Sequence, residues 1–384
     1  MYRVFLSILV FLLLLTSGSL IAQVLPASEP EELSENVNWS VLPAVAYTSD
    51  YGLFGMGIFT RINYGEDVSP YLSNMRIDLS ASTRSKYEGM FMYERTSLLG
   101  SPIRHRTLFK LMREPSSPYF GIGNNTTFDS SDYGNGIFFY HRNELLFDLS
   151  LRKNLVRLSE STMLDGVIRF NVSQRSLKSR GSDTVYEQQN PFGAEGGWVN
   201  KIGAGIISDS RNSEFFPTRG YRYEIGVNLS DNLLGSDFSF VEYFTDFRHY
   251  FSPVNNVVIA HRAALRHTSG EVPFWQLPIL GNERGLRGYA LDRFIGDSSV
   301  LQMLELRTWL FSFLDDHIKL GSHAFWDSGR VFSEFDSNGF FENWNHTYGF
   351  GGTISALSPD LILRFEIAFS DENSRFYAGM GYIF

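Results

Sequence analysis

From residue 40 to the last residue, the chain is written in short runs in which apolar and polar side chains alternate. Successive side chains of a β-strand point to opposite faces, so a period of two commits each run to a strand with one apolar and one polar face. Between Leu361 and Phe369, the residues Leu361, Leu363, Phe365, Ile367 and Phe369 share a face, while Arg364 and Glu366 lie on the other. Tyr221, Tyr223, Ile225, Val227 and Leu229 oppose Arg222, Glu224 and Asn228 in the same way. Met75, Ile77, Leu79 and Ala81 oppose Asn74, Arg76, Asp78 and Ser80. Strands are expected at 40–48, 52–64, 69–83, 86–97, 102–113, 136–153, 161–175, 196–208, 220–231, 236–250, 255–268, 297–311, 317–332, 345–356, 360–371 and 375–384. Alternation does not say which face meets water. A soluble sandwich turns its charged face outward, whereas a barrel in a membrane turns that face into its lumen.

The two ends of the chain favour the barrel. Arg3 precedes an apolar run from Val4 to Leu15, and small residues lead to Ala22, so residues 1–22 read as a secretory signal peptide. The run falls short of the ~20 apolar residues of a membrane helix. At the other end Phe376, Ala378, Met380, Tyr382 and Phe384 share one face of a last strand. Tyr382 and Phe384 resemble the C-terminal signal by which bacterial outer-membrane proteins reach their assembly machinery. Abundant Phe, Tyr and Gly (34, 19 and 34 residues) with a mean hydropathy near zero suit strands whose lipid-facing and wet faces cancel. With no cysteine, an acylated lipoprotein, a disulfide framework and a thiolate metal site are excluded. The net charge of -9 argues against nucleic acid.

With both termini in the periplasm, the long connections 114–135, 176–195, 269–296 and 333–344 all fall on the outside and the others are mostly short, as in bacterial barrels. The longest of them holds Gly281-Asn-Glu-Arg-Gly-Leu-Arg-Gly-Tyr289, and Phe325-Trp-Asp-Ser-Gly329 follows some forty residues after it. A guanidinium offers a planar fork to a carboxylate, and flanking glycines let the backbone come close. Leu286-Arg287-Gly288-Tyr289 resembles the Arg-Gly-aromatic signature of the sixth extracellular loop in the BamA/TamA outer-membrane assembly superfamily. Phe325-x-Asp327-x-Gly329 is similar to that family's motif on the thirteenth strand. The resemblance implies that Arg287 meets Asp327 inside the barrel, with Gly288, Tyr289 and Gly329 completing a lock on loop six. Glu305 and Arg307, on the adjoining strand, are candidates for the same lumen network. Two readings of the lock stand: a plain anchor for the loop, or an anchor that also supports insertion or transport.

Other segments carry the resemblance further. Tyr119-Phe-Gly-Ile-Gly-Asn-Asn-Thr126 resembles a Gly-x-Gly-Asn segment of the family's third extracellular loop. Asp209-Ser-Arg211-Asn, running to Pro217 and Gly220, looks like its periplasmic turn, in which the Asp accepts from the turn backbone and pairs with the Arg. The barrel would close between a first strand containing Pro43 and a last strand containing Gly379 and Gly381. Neither residue type reinforces a ladder, and the family's proposed lateral gate lies at that seam. One departure is expected: residues 23–39, an acidic lead with Pro26 and Pro30, leave no room for a POTRA domain before a barrel over 40–384.

No nucleophile elbow, zinc-protease helix motif or phosphate-binding loop is present, so no catalytic residue, cofactor or metal is assigned. His261 and His267 are too far apart on one strand to share an ion. Asp129-Ser-Ser-Asp132 and Asp336-Ser-Asn338 are weak calcium candidates. The expectation is therefore an all-β, transmembrane antiparallel barrel of about sixteen strands, with a long extracellular loop folded inward. It would lie in the bacterial outer membrane, touching lipid, its assembly machinery during biogenesis, and periplasmic or surface partner proteins. The implied role is assembly, insertion or translocation of proteins; a passive or gated pore, or an anchor for another protein, are the alternatives.

Overall fold

The fold comes from a computed structural model, which describes residues 37–48, 52–65, 71–98, 100–159, 162–281, 285–314, 318–332, 342–356 and 362–384. The signal peptide, most of the acidic lead and Asp336–Asn338 lie outside the described residues. The strands are β1 (Val37–Thr48), β2 (Gly52–Asn63), β3 (Ser73–Ser82), β4 (Tyr87–Arg95), β5 (Ile103–Pro118), β6 (Phe139–Arg157), β7 (Met163–Ser179), β8 (Gly196–Asp209) and β9 (Gly220–Ser230). They continue with β10 (Phe240–Val254), β11 (Val257–Gly270), β12 (Ile279–Leu280), β13 (Phe294–Ile295), β14 (Ser298–Phe313), β15 (Ile318–Phe332), β16 (Asn345–Ala356), β17 (Ile362–Phe369) and β18 (Ser374–Met380). Strands β12 and β13 form a separate two-stranded sheet. The other sixteen form one antiparallel sheet in chain order, and each corresponds to a strand expected from alternation.

The chain divides into two compact units: 1–117 with 141–151 and 171–176, and 118–140 with 152–170 and 177–384. In the first, register aligns Val41, Phe59, Ile77, Phe91 and Phe109 into one apolar row across β1 to β5. Val41, Phe91 and Phe109 of that row are exposed, although a water-soluble protein would cover such a stripe. Charges in this unit pair among themselves, Lys86 with Glu114 at 2.8 Å and Arg76 with Asp78 at 2.7 Å.

The second unit resolves the question of which face is wet. On β9 Ile225 is 57% exposed and its neighbour Glu224 only 6%. On β14 Leu304 and Leu306 are exposed, whereas Glu305 and Arg307 are buried. On β17 Arg364 and Glu366 are buried and face inward. Apolar outside and charged inside is the order lipid imposes on a barrel, and the reverse of a soluble sandwich. The sheet is thus a transmembrane β-barrel with a polar inner face.

Several details depart from expectation, among them β5, β6 and β7, which run to Pro118, Arg157 and Ser179, past the expected ends at 113, 153 and 175. The connections 119–138 and 180–195 carry short helices, α1 (Ser130–Asn135) and α2 (Val185–Gln189), where the period-two reading places only loop. Asp129 accepts from the backbone N–H groups of Ser131 and Asp132, which cap α1 and hold its carboxyl below the usual range; its oxygens serve a helix end. Strand β10 runs to Val254, past the expected end at 250, through an irregularity that accommodates Pro253. The last strand stops at Met380 instead of 384, because Gly381 turns to φ +74° and leaves the ladder. Tyr382 and Phe384 therefore do not continue its outer face: Phe384 is buried in the interior cluster with Tyr250, Leu286 and Met303.

Candidate functional site: the loop-six arginine seat

The connection between β11 and β14 folds back on itself through the β12–β13 pair, with Leu280 opposite Phe294 and Ile279 opposite Ile295. Its apolar side chains Leu280, Leu286, Tyr289 and Phe294 pack with Leu301 and Met303 of β14 and Val331 of β15. Burial of that order, about 1.5–3 kcal/mol per large side chain, is what draws the loop inward. Leu286 holds φ +114°, a conformation strained for a branched residue, and is fully buried. The strain is held by packing, and it aims the next residue at the wall.

That residue, Arg287, is 0% exposed. Its Nε and Nη2 donate to the two oxygens of Asp327 at 2.7 and 2.6 Å, a bidentate fork, and its backbone N–H adds a bond at 3.2 Å to Oδ2. Nη1 donates to Glu305 at 2.6 Å and lies 3.4 Å from Glu366. The guanidinium rests on the Phe325 ring, 3.4 Å from its centroid. Three carboxylates around one cation would leave unbalanced charge in a buried site, and further cations offset it. Arg307 donates to Glu305 at 2.8 Å, and Arg364 and His323 lie 3.4 and 3.0 Å from Glu366. Three guanidiniums thus meet three carboxylates.

The structure brings Arg287, Asp327, Glu305 and Arg307 into one network. Gly288, at φ +92°, lies so close to the chain at Phe369 that a Cβ would sit 3.2 Å from its carbonyl carbon. Tyr289 hydrogen-bonds Asp371. Gly329 makes room for the loop: a Cβ there would be 2.9 Å from Leu280 Cδ1. The aromatic and carboxylate of the β15 motif therefore contact Arg287 itself, and its glycine makes room for Leu280 of the same loop.

Sequence reasoning placed Glu366 and Arg364 on the polar face of β17 but did not join them to the site. His323, Tyr377, Arg293 and Glu372 went unrecognised. The alternation of β15 would have put His323 inward; for Arg293, one arginine among loop residues, the sequence offered no signal. Arg307 has another role as well, since its Nη2 donates to the Phe384 carbonyl at 2.9 Å and its Cζ lies 4.1 Å from the Tyr382 ring centroid.

The 119–126 segment lies across the loop. Gly123 N–H donates to Ile295 at 2.7 Å, and Asn124 Oδ1 accepts from Val331 N–H and Asn345 Nδ2 at 3.1 and 3.0 Å. At the other turn Asp209 accepts from Arg211 through Nε, Nη2 and the backbone. Gly220, at φ +93°, packs against Ser210 so tightly that a Cβ would sit 2.2 Å from its carbonyl oxygen, and Pro217 is buried in the same turn. Pro43 pairs with Gly57, and Gly379 with Arg364; Pro43 falls in the first unit, Gly379 and Gly381 in the second.

The Omp85 superfamily domain matches residues 75–384. The fold is similar to that of BamA from Haemophilus ducreyi lacking POTRA domains 1-3, with a TM-score of 0.58, 17% identity, 89% of this chain covered and 70% of that one. CdiB from Escherichia coli gives a TM-score of 0.60 at 12% identity over 90% of this chain, and CdiB from Acinetobacter baumannii gives 0.52 at 12% over 90%. The chain spans 62% and 65% of the length of these two CdiB structures. No curated protein sequence matches it. The family domain covers most of the chain, including the arginine seat, and so the chain belongs to the Omp85 superfamily, outer-membrane β-barrel proteins of Gram-negative bacteria.

Proposed function

We propose that this barrel takes part in assembling proteins into the outer membrane, or in moving them across it, together with periplasmic or surface partner proteins and without catalysing a covalent reaction. The observation that carries the reading is Arg287, buried among Asp327, Glu305 and Glu366 at the inner wall. A permanently open pore has no need of a loop fixed inside it by three ion pairs. An anchor for another protein has no need of it either. A loop so fixed leaves the barrel closed at rest and gives it a discrete element to move. Membership of the Omp85 superfamily supports the same reading.

The test uses the full mature chain in phospholipid vesicles. Folding of a small outer-membrane barrel added as urea-denatured substrate should be faster with this protein than with empty vesicles, and Arg287→Ala should remove the gain. In planar bilayers the intact protein should pass little current. A large, steady conductance from the intact protein, with no effect on substrate folding, would instead establish the pore.

A further inference from the structure

We propose that Arg293 and Tyr289 are positioning residues for the last hairpin: they make loop six a clamp on β17–β18, so that withdrawing the loop and loosening that hairpin are one event. The coupling stands apart from what the barrel assembles or conducts.

Arg293 lies six residues beyond Arg287, in no motif, yet it is buried and every nitrogen of its guanidinium is engaged. Its Nε lies 2.8 and 2.9 Å from the two oxygens of Glu372, and its Nη2 lies 2.7 Å from Oε1. Nη1 and Nη2 donate to the hydroxyl and the carbonyl of Thr126. The Phe120, Phe128 and Phe294 ring centroids lie 5.1, 5.8 and 4.7 Å from Cζ. One side chain thus joins loop six to the 119–126 segment and to the turn between β17 and β18. Tyr289 donates to Asp371 in the same turn. Gly288 N–H donates to the Tyr377 hydroxyl of β18 at 2.9 Å, and Gly288 O accepts from Ser370 at 3.2 Å. Deeper in, Arg287 reaches Glu366 of β17.

The hairpin needs such a hold. Strands β17 and β18 have 8 and 7 residues, against 16 and 15 in β14 and β15. A ladder half as long contributes about half the hydrogen bonds and cross-strand contacts, so the last hairpin has less protection of its own than β14–β15. In the ion pairs between them loop six supplies the cations, Arg287 and Arg293, and the hairpin the carboxylates, Glu366 and Glu372. Removing Arg293 leaves Glu372 without this partner at the turn, and moving the loop as a body breaks every contact at once.

Amide hydrogen exchange of the full chain folded in phospholipid vesicles tests the clamp. Arg293→Gln, Tyr289→Phe and the hairpin-side Glu372→Gln should each speed exchange in 374–380 by at least tenfold, and leave 220–230 in β9 as in the wild type. Arg287→Ala should produce the same local pattern, and Arg293→Lys should restore part of the protection. Unchanged exchange in 374–380 across all variants would overturn the clamp. Equal acceleration in β9 would overturn it too, since the residues would then serve the whole fold. Exchange reports on the hairpin alone and substrate folding on the proposed function, so either can fail without the other.

Discussion

Arg287 has no exposure and three carboxylate partners; its removal strands the buried Asp327, while Glu305 keeps Arg307 and Glu366 keeps Arg364 and His323. Breaking a buried pair of this kind costs about 3–5 kcal/mol. Arg287→Ala should therefore release the loop, read as altered heat-modifiable migration on gels and new protease cleavage within 269–296. Wild-type migration and resistance would refute this. Arg287→Lys should lie close to alanine, because one ammonium cannot reproduce the fork on Asp327 while also reaching Glu305. At this scale the sequence was partly readable. Arg287 and Asp327 stood out through glycine spacing and family resemblance. Glu366 and Arg364 were on the correct face, but the register that brings β17 to the site is a property of sheet pairing. Arg293 could not be singled out, because its partners lie 79 and 167 residues away in the chain.

Among the elements, the 209–220 turn is the most closely specified by local chemistry. Asn212 accepts from the backbone N–H groups of Thr218 and Arg219 at 2.9 and 3.0 Å and donates to the Thr218 hydroxyl at 2.8 Å. Asn212→Ala removes all three bonds, each of net worth about 0.5–1.5 kcal/mol, partly recovered by water at this exposed site. The expected result is a urea midpoint lowered by an amount equivalent to about 1–2 kcal/mol, with the strands themselves preserved in circular dichroism. An unchanged midpoint would show that these three bonds do not stabilise the fold. The last strand teaches the opposite lesson. Its alternation continues through Tyr382 and Phe384, yet Gly381 ends the ladder, and Arg307 gathers both rings inside. Periodicity records which side chains share a face while the chain stays extended; a backbone turn at glycine leaves no mark in it.

For the molecule as a whole, the decisive property is the inversion of its faces. Ile225 looks outward and Glu224 inward on the same strand. A lysine at the lipid-facing position should cost about 2–4 kcal/mol near mid-bilayer and far less near the interface. Ile225→Lys should accordingly lower the folded fraction in vesicles, whereas Ile225→Leu should not. Equal tolerance of the two would contradict a lipid-facing β9. Sixteen strands were legible because each face of each strand has a single solvent. The alternation that announces them is silent on which solvent that is; the exposed Ile225 beside the buried Glu224 gives the answer.

The arginine seat has a further consequence for how the barrel meets its surroundings. Dissolved ions weaken a charge pair only by gathering around it, over a distance of about 8 Å at physiological ionic strength. Three cations and three anions enclosed in the wall give them neither access nor a net field to gather in. Arg266, about half exposed beside Glu242, keeps its contact only as far as the medium permits. Any agent that drew loop six from its place would therefore have to compete for the buried arginine by direct contact, and a change in outside salinity should act far more on Arg266 than on Arg287.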